Sequence, residues 1–521
     1  MKNKIMIFGA MLLLLMVTSC REESDAVQNY VFNDGLAFNE AKESYAGKFK
    51  VLWKALDQNY AIWDYERSQG VDWDAVYDEY LPKYEALDEL DDVTDDDLKK
   101  LLEETVAPLH DGHFVAQMQN HKTGGFVMVS PSHLCRMQRD DYESSQHITH
   151  NMSAYLPVAA GGNGDIMEYK EVNTQAIYQV VRAYRTPGIG YQWAKAQLAT
   201  PTALQPYEIE GLQSFVSDFD FLMAMVVGGK ISYANAVQQY NQMAVIYQYL
   251  KIPGVYQIED ALNNYGITVQ YALFKNNVAY LYFDSFGLSP YVDDEAFQEV
   301  FGNVDVAAKQ LAQQVRDIWK TWFDKVQALH VSGQLKGVII DLRGNGGGML
   351  NDFQYVLGSM LPSGGFEVGM SRFKRGLGRY DYSPLVPFKA QTLEADHETI
   401  TEPIVVLANC GSVSMAEMTT MSCQSLTNGF FIGKRTHGGL CALNKDPGIY
   451  YQNYAGIVGE QDKTPVFLYI PHMVTMSKEN QIFEGVGLTP DIEVDFDVTL
   501  FQSTGRDSQL ERALQFMNTQ N

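Results

Sequence analysis

The sequence has few cysteines, a deficit of positive charge and no hydrophobic run long enough to span a bilayer. Its 521 residues include five cysteines, which is too few for a disulfide scaffold, and they form no Cys-x-x-Cys pair of the kind that holds zinc. Acidic residues outnumber basic residues by 64 to 39, and this net charge of −25 argues against a nucleic-acid partner. The sequence leaves the pairing of Cys135, Cys410, Cys423 and Cys441 open.

The first 19 residues have the pattern of a signal peptide. Lys2 and Lys4 precede a mostly apolar run of 13 residues, Ile5 to Val17, which is shorter than the roughly 20 residues that a membrane-spanning helix needs. The small residues before Cys20 resemble a bacterial lipobox, in which the cysteine is acylated and becomes the new N-terminus. We therefore expect removal of residues 1–19 and a lipid-anchored protein in the cell envelope, at the outer membrane and either periplasmic or surface-exposed. The alternative is an ordinary cleaved leader beside an incidental cysteine.

The rest of the chain divides by hydrophobic pattern. Residues 20–47 are polar, which predicts an acylated cysteine followed by a tether. Apolar residues then recur at helical spacing, which predicts an N-terminal helical subdomain over residues 48–120. A helix is expected to begin at Thr94, because three aspartates follow it and negative charges are stabilised at the positive N-terminal end of the helix dipole. Residues 121–265 form an accessory region of unknown role.

Residues 266–521 have the pattern of an α/β core. Continuous β-branched and aromatic runs at 278–283, 338–340 and 404–407 predict strands that are buried on both faces. A long amphipathic helix is expected over 294–330, and the alternation of strands with helices implies parallel connections. The predicted fold class is therefore mixed α/β.

A glycine-rich loop follows the second of these strands. The strand ends in Asp341-Leu342-Arg343, and the loop Gly344-Asn345-Gly346-Gly347-Gly348 exposes backbone N–H groups because glycine has no Cβ to block an approaching ligand. A phosphate-binding loop would continue with Lys-Ser or Lys-Thr, whereas this one continues with Met349-Leu350. An oxyanion cradle or a simple turn remains, and we expect Asp341 and Arg343 to brace the loop as an ion pair.

A second candidate segment lies about 60 residues later. The strand at 404–407 leads into Asn409-Cys410-Gly411-Ser412-Val413-Ser414 and then into a helix that carries Glu417. Such a strand–turn–helix presents a serine hydroxyl at a corner, and the helix N-terminus offers N–H groups to a developing negative charge. We expect Glu417 to orient the first turn of the helix and Cys410 to be a buried core residue.

Together these segments resemble the C-terminal processing peptidases and the tricorn core peptidases, one family of serine peptidases. The shared patterns are D-L-R-x-N-x-G-G at 341–348, S-x-S-x-x-E at 412–417, D-G-H at 111–113 and E-G-V-G-x-x-P-D-I at 484–492. The resemblance covers residues 48–120 and 266–521. It implies a peptidase core of the tail-specific, ClpP/crotonase-like type, with Ser414 as the nucleophile.

One position departs from the processing-peptidase branch. That branch has a lysine base 25 residues after the nucleophile, where this chain has Gly439. A serine needs a positioned base to accept its proton, and histidine suits that task. The D-G-H segment of the tricorn-like branch implies that His113 is the base, and His437 is the alternative because it lies beside the missing lysine's position.

The remaining site residues also follow from the resemblance. Glu484 matches a glutamate of the tricorn-like pattern, which implies that it orients His113. Asp111 is the alternative, because Gly112 stands where that branch has a serine. The implied oxyanion donors are the N–H groups of Gly346 or Gly347 and of Met415.

The sequence thus predicts a serine endopeptidase that forms an acyl-enzyme on Ser414. Its partners would be a peptide or protein substrate and, through Cys20, a membrane; acyl-enzyme chemistry needs neither a metal nor another cofactor. The rival prediction is a catalytically inactive lipoprotein on the same fold that binds peptides or lipids. No paired carboxylates suggest glycoside cleavage.

Overall fold

The computed structural model describes residues 41–131, 139, 150–174, 191, 195, 198–199, 206–231, 266–301, 306–376, 378–441 and 457–519. Up to residue 331, the described elements are α1 (Tyr45–Asn59), α2 (Trp63–Ser68), α3 (Trp73–Asp88), α4 (Asp95–Val106), β1 (Val115–Gln119), β2 (Phe126–Val129), β3 (Ile166–Asn173), α5 (Pro206–Val227), β4 (Thr268–Phe274), β5 (Val278–Phe283), α6 (Ser289–Val292), α7 (Asp294–Phe301) and α8 (Val306–Val331). The later elements are β6 (Gly337–Asp341), β7 (Phe366–Phe373), β8 (Val386–Ala390), β9 (Ile404–Ala408), α9 (Met415–Gln424), β10 (Gly429–Gly433), β11 (Ile457–Val458), β12 (Val466–Tyr469), β13 (Met473–Met476), β14 (Ile492–Glu493), α10 (Val498–Thr504) and α11 (Ser508–Thr519). Short 3-10 helices are Ser153–Tyr155, Val158–Ala160, Leu350–Tyr355 and Leu357–Met360. Within the described residues, none of the helices combines the length and the apolar character that crossing a bilayer requires.

The chain forms two compact units. The first comprises Met1–Met167, Leu273–Tyr280 and Lys325–Asn521, and the second comprises Glu168–Ala272 and Leu281–Asp324. These limits differ from the divisions expected at residues 121 and 266. Both β4 and β5 contain residues of each unit. These two unit limits therefore fall inside strands, where the composition of the sequence does not change.

The seven-stranded sheet has the strand order β14-β10-β9-β6-β5-β4-β3, and the first unit contains all of β14, β10, β9 and β6. Strand β9 pairs in parallel with β6 on one side and with β10 on the other, and β10 pairs in parallel with β14. All five residues of β6 and all five of β9 are buried, as their continuous apolar runs predict. The mixed α/β fold class is thereby confirmed, and the carboxyl ends of β6 and β9 carry the two candidate catalytic segments.

The N-terminal helices belong to the same unit and share a core with two smaller sheets. Helix α1 buries Phe49, Leu52 and Leu56 on one face, as the helical spacing predicts. Helix α4 begins with a capping box in which the Thr94 hydroxyl accepts from the Asp97 N–H and Asp97 accepts from the Thr94 N–H. The acidic cluster there is therefore a helix start, as its sequence predicts.

Helix α1 begins before the limit expected for the tether. Ser44 is its N-cap and accepts from the Gly47 N–H at 2.9 Å. Ala41 and Tyr45 are buried, so the last residues of the segment predicted as a tether already pack against the core. The signal peptide over 1–19, Cys20 and Cys135 lie outside the described residues.

Two small antiparallel sheets complete the first unit. One has the order β11-β12-β1-β2, and the other has the order β13-β7-β8. Strand β1 starts two residues after His113 and pairs with β12 in the register Val115↔Tyr469 to Met118↔Val466. This pairing fixes the backbone directly after His113, the predicted base.

The second unit contains α5, α6, α7, most of α8 and parts of β3, β4 and β5. Where one helix is predicted over 294–330, the structure has α7 and α8, and residues 302–305 between them lie outside the described residues. The Arg316 guanidinium of α8 donates to the Val292 carbonyl at 2.9 Å and pairs with Asp294. It also lies over the Phe297 ring, so α8 holds α6 and α7 within this unit.

Candidate active site

Ser414 occupies the turn between β9 and α9. Its backbone has φ 57° and ψ −116°, a region that residues with a Cβ rarely adopt, at a cost of the order of 1–3 kcal/mol. The Ser414 side chain is half-buried, whereas the next two residues are fully buried. A serine on a strained strand-to-helix turn is the arrangement that exposes the nucleophile in many hydrolases.

The glycine-rich loop after β6 packs directly against this turn. A Cβ placed on Gly347 would lie 2.7 Å from Ser414 Cβ, 2.7 Å from the Val413 carbonyl oxygen and 2.9 Å from Met415 N. Gly347 also has a φ of +86°, so both the space and the backbone angle require glycine. The Val413 N–H donates to the Asn345 carbonyl at 3.0 Å, which fastens the loop to the nucleophile's turn.

The predicted oxyanion donors differ in their hydrogen bonds. The Gly347 N–H donates to Asn345 Oδ1 at 2.9 Å, so this amide is already engaged. For the N–H groups of Gly346 and Met415, the structure records no acceptor within the described part of the chain. Gly346 is exposed, and Met415 N lies in the first turn of α9, where helical N–H groups have no intrahelical acceptor. Gly346 and Met415 therefore suit the role better than Gly347.

The neighbouring Ser412 braces the turn instead of presenting its hydroxyl. Its Oγ donates to the Leu342 carbonyl at 2.7 Å and accepts from the Asn409 N–H at 3.0 Å. Ser412 is completely buried. Of the two serines in the motif, only Ser414 has the exposure that attack on a substrate requires.

The Glu417 carboxylate connects the nucleophile's helix to the loop 436–439. Its Oε1 accepts from the Thr436 hydroxyl and the Gly438 N–H, both at 2.6 Å, and its Oε2 accepts from the Gly439 N–H at 2.7 Å. Oε2 also accepts from the Ser414 N–H at 3.3 Å, which confirms that Glu417 orients the first turn. Complete burial raises the pKa of Glu417 to about 7, while the hydrogen bonds from Thr436 and the two glycines limit that rise and the charge of Glu484 adds to it.

Gly439, at the position where the processing-peptidase pattern has its lysine, contacts three segments. Its carbonyl accepts from the Ser414 N–H at 3.0 Å. A Cβ placed on Gly439 would lie 3.2 Å from Gly112 Cα, 3.4 Å from His437 Cδ2 and 3.4 Å from Val413 Cγ1. A side chain at 439 would thus lie against the residue before His113 and against His437, in the two histidine-bearing segments that the sequence singles out.

Glu484 ties the His113 segment to the same loop. The carboxylate is completely buried; its Oε2 accepts from the Gly112 N–H at 2.8 Å, and its Oε1 accepts from the N–H groups of Leu440 and Cys441, each at 2.5 Å. Burial, followed by the charges of Glu484 and Asp111 and a hydrogen bond to Glu484, raises the pKa of the Cys441 thiol well above its usual value. The predicted orienting glutamate therefore holds the main chain next to the predicted base.

The histidine candidates are anchored through their backbones. The His113 N–H donates to Asp111 Oδ1 at 2.7 Å, so the alternative orienter Asp111 fixes the backbone of His113. The His437 N–H donates to the Ser412 carbonyl at 3.1 Å. Both His113 and His437 are half-buried, and the choice of His113 as the base stays a prediction.

The ion pair predicted beneath the glycine loop is present. The Arg343 guanidinium binds Asp341 through Nε to Oδ1 at 2.9 Å and Nη2 to Oδ2 at 2.5 Å, and it also binds Asp507 at 2.7 Å. Arg343 and Asp341 are both buried. Burial opposes ionisation of Asp341, but the charges of Arg343 and His150 and the hydrogen bonds from both side chains together outweigh it and hold the pKa of Asp341 far below its usual value.

Two asparagines that the sequence reasoning did not single out shape the site. Asn345 Oδ1 holds the Gly347 N–H, and Asn409 Oδ1 accepts from the N–H groups of Gly344 and Gly411 at 3.1 and 2.9 Å. Asparagine near glycine is a typical turn residue because its side chain can accept from a nearby backbone N–H. The glycines beside Asn345 and close to Asn409 could therefore have indicated this role from the sequence. Among the cysteines, Cys410, Cys423 and Cys441 are buried, which confirms the prediction for Cys410.

Residues 278–494 match the family model described as Peptidase family S41. The matched range is less than half of the chain and contains Ser414, Met415, Glu484 and the glycine-rich loop. His113 lies outside it. No curated protein matches the chain.

Several solved structures are similar at low identity. A protein described as a candidate peptidase from Parabacteroides merdae ATCC 43184 shares 16% identity over 91% of this chain and 96% of its own, with a TM-score of 0.49. Mature CPAF shares 10% over 89% and 95%, with a TM-score of 0.43. The photosystem II D1 C-terminal processing protease shares 18% over 42% of each chain, with a TM-score of 0.26. The conclusion therefore rests on the family match: the part of the chain that contains Ser414 and Glu484 is similar to a peptidase family, as its motifs predict.

Proposed function

We propose that this protein is a serine endopeptidase that hydrolyses peptide bonds through an acyl-enzyme on Ser414. The observation that carries the proposal is the strained, half-buried Ser414 at the start of α9, against which Gly347 packs at a distance that admits no side chain. The match of residues 278–494 to a peptidase family supports the same reaction class.

The proposed reaction gives each of the predicted site residues a role. Ser414 Oγ forms a bond to the substrate's carbonyl carbon while its proton passes to His113, and the carbonyl oxygen becomes an oxyanion. The N–H groups of Gly346 and Met415 would donate to that oxygen, and loss of one such donor typically lowers the rate by roughly 10²–10³-fold. His113 then gives the proton to the departing amine as the peptide C–N bond breaks. Water next attacks the acyl carbon while His113 accepts a proton from it, and the ester bond to Ser414 breaks as that proton passes to Ser414 Oγ and the carboxylic acid is released.

The D-G-H pattern at 111–113 favours His113 as the base. Gly439 supplies no amine, and a Cβ there would contact both Gly112, whose N–H is fixed by Glu484, and the His437 ring. Both histidine segments thus lie against the position of the absent lysine. Because a neutral imidazole titrates near pH 6.5, it is well matched to accept the serine proton near neutral pH.

The nucleophile is tested with a fluorophosphonate probe on the purified protein. We expect wild-type labelling and a complete loss of labelling in Ser414→Ala. The matched control is Ser412→Ala, which removes the other hydroxyl of the same motif and should still be labelled after correction for its folded fraction. Labelling that persists in Ser414→Ala contradicts the proposal, and an unlabelled wild type favours the rival function of a binding lipoprotein without activity.

The base is tested by comparing His113→Ala with His437→Ala. Removal of a general base lowers the rate by roughly 10²–10⁴-fold, so we expect a fall of that size in the labelling rate of His113→Ala. His437→Ala should stay within about tenfold of wild type. The opposite order of the two variants would assign the base to His437.

We further propose that the mature chain begins at an acylated Cys20 and faces the cell envelope. The support is the leader pattern of residues 1–19 and the small residues before Cys20. Incorporation of labelled palmitate into the full chain and recovery in the membrane fraction are expected, and Cys20→Ala should lose both. Palmitate incorporation that is unchanged in Cys20→Ala would contradict lipid attachment at this residue.

A further inference from the structure

Helix α2, which lies before the predicted base in the chain, touches both segments that carry Glu484 and His113. Tyr65 Oη donates to the Glu484 carbonyl oxygen at 2.6 Å. The next residue, Glu66, accepts from the His110 N–H at 2.8 Å through Oε1 and contacts His110 Nδ1 at 2.7 Å through Oε2. His110 lies three residues before His113, so neighbouring residues of one short helix reach both segments.

The contacts of Glu66 make it a rigid support. Glu66 is completely buried, and its Oε1 also accepts from the Tyr60 hydroxyl at 2.8 Å. The Tyr60 ring packs edge-on against Phe114, with 6.4 Å between the centroids. Residues on both sides of His113 are thus held by one group of side chains, since Glu66 binds His110 and Tyr60 packs against Phe114.

The Tyr65 side chain connects these two sets of contacts. Its ring lies edge-on to the His110 ring at 6.2 Å between centroids, while its hydroxyl binds the Glu484 main chain. Helix α2 is itself fixed, because Asp64 forms an ion pair with Arg372 of β7. A shift of α2 would therefore move His110 and Glu484 together.

We propose that Tyr65 and Glu66 are positioning residues that hold His113 and Glu484 in the arrangement needed for proton transfer. This inference rests on the proposed function, because it assigns a supporting role for the base of the Ser414 reaction. Neither residue touches the substrate. Each acts through the main chain: Tyr65 through the Glu484 carbonyl and Glu66 through His110, which is joined to His113 by the buried Asp111 and by Gly112. Such support matters because a displacement of about 1 Å in a catalytic group can lower the rate roughly 10²-fold.

The test compares Tyr65→Phe and Glu66→Gln with wild type in the full chain. Tyr65→Phe removes only the hydroxyl, and Glu66→Gln retains the size of the side chain. The matched control is Tyr77→Phe, which removes a hydroxyl from an aromatic residue of α3 that packs against the same core. The fluorophosphonate labelling rate and peptide hydrolysis are measured from pH 5 to 9 and divided by the folded fraction.

We expect each of the two variants to react about tenfold more slowly than wild type, which corresponds to the loss of one hydrogen bond of roughly 1.4 kcal/mol. KM should stay within about twofold, and the midpoint of the acid limb of kcat/KM, which reports the base of the free enzyme, should move. Tyr77→Phe should match wild type. Rates within twofold of wild type for both variants, or a loss fully explained by unfolded protein, would overturn the proposal even if Ser414 is labelled as expected.

A second measurement separates this inference from the proposed function. With ¹³C-labelled histidine, the Cε1–H signal of His113 is assigned by its disappearance in His113→Gln and titrated in wild type and in Tyr65→Phe. A changed shift or titration midpoint in Tyr65→Phe supports positioning even if wild type shows no reaction, and an unchanged signal overturns it. Labelling that is lost in His110→Ala but kept in His113→Ala would instead make His110 the base, which also overturns it.

Discussion

Replacement of Gly347 by alanine tests how closely the glycine-rich loop and the nucleophile depend on one another. The new Cβ would lie 2.7 Å from Ser414 Cβ, whereas carbon atoms in contact are normally about 3.5–4.0 Å apart. The overlap of roughly 0.8 Å must be relieved by moving either the loop or the Ser414 turn. Since a misplacement of about 1 Å can lower a catalysed rate roughly 10²-fold, we expect at least that loss in the fluorophosphonate labelling rate and in peptide hydrolysis.

Gly344 provides the matched control for this substitution. Gly344 has a similar positive φ of +73°, but a Cβ placed there would meet nothing within 4 Å, whereas Gly347 has φ +86° and three close neighbours. Alanine at a positive φ costs about 1–2 kcal/mol at either site. Both variants therefore lose this much stability in urea unfolding, and only Gly347→Ala also carries the steric overlap.

The expected result is a stable Gly344→Ala with a labelling rate near that of wild type and a folded Gly347→Ala with a rate lower by at least about 10²-fold. The rates are compared per folded molecule, so that a loss of stability is not counted as a loss of reactivity. Equal labelling rates in the two variants would refute the reasoning, because the crowding at Gly347 would then have no effect on Ser414.

Two further predictions concern buried charges. Burial raises the pKa of Glu417 to about 7 from 4.5, so its contribution to stability is complete below pH 4.5 and is lost as the pH rises through 7. The difference in unfolding free energy between wild type and Glu417→Gln should therefore fall by the order of 3 kcal/mol between pH 4.5 and 8 in urea titrations, and parallel pH curves would contradict this. Arg343→Met leaves the buried Asp341 and Asp507 without their cation and should cost about 3–5 kcal/mol of stability. Lys320→Met, at an exposed pair with Asp324, should cost about 1 kcal/mol or less; equal costs in urea unfolding would show that burial of the Arg343 pair has no influence.

The strands and turns that carry the site were predictable because their signals are local. The continuous apolar runs of β6 and β9 predict buried parallel strands, and the glycines after β6 and the serines after β9 lie where those strands end. Since the carboxyl ends of adjacent parallel strands meet at one edge of a sheet, the Gly347 and Ser414 segments come together, as the structure shows. Asp341 and Arg343 were predictable as a pair for the same reason, because both lie at the end of β6.

The partners of the buried carboxylates were not predictable in this way. Glu417 was expected to orient its own helix, but its other acceptor positions are filled by Thr436 and two glycines 19 to 22 residues later. Glu484 binds the N–H of Gly112 across 372 residues of sequence. A backbone N–H has no signature in the sequence, so only the fold reveals which amide meets which carboxylate. The unit limits leave no mark in composition for a related reason, because they fall inside β3, β4, β5 and α8.

The amides of residues 438–441 connect the helix that follows Ser414 to the segment that carries His113. Glu417 accepts from the first two of these amides, and Glu484 accepts from the next two. One carboxylate belongs to the helix of the nucleophile, and the other also holds Gly112, so four successive amides link Ser414 to the segment of His113. A Cβ at Gly439 would lie 3.2 Å from Gly112 Cα, so a lysine there would press against the segment of His113. The proposed reaction therefore takes its base from the histidine segment that lies against Gly439.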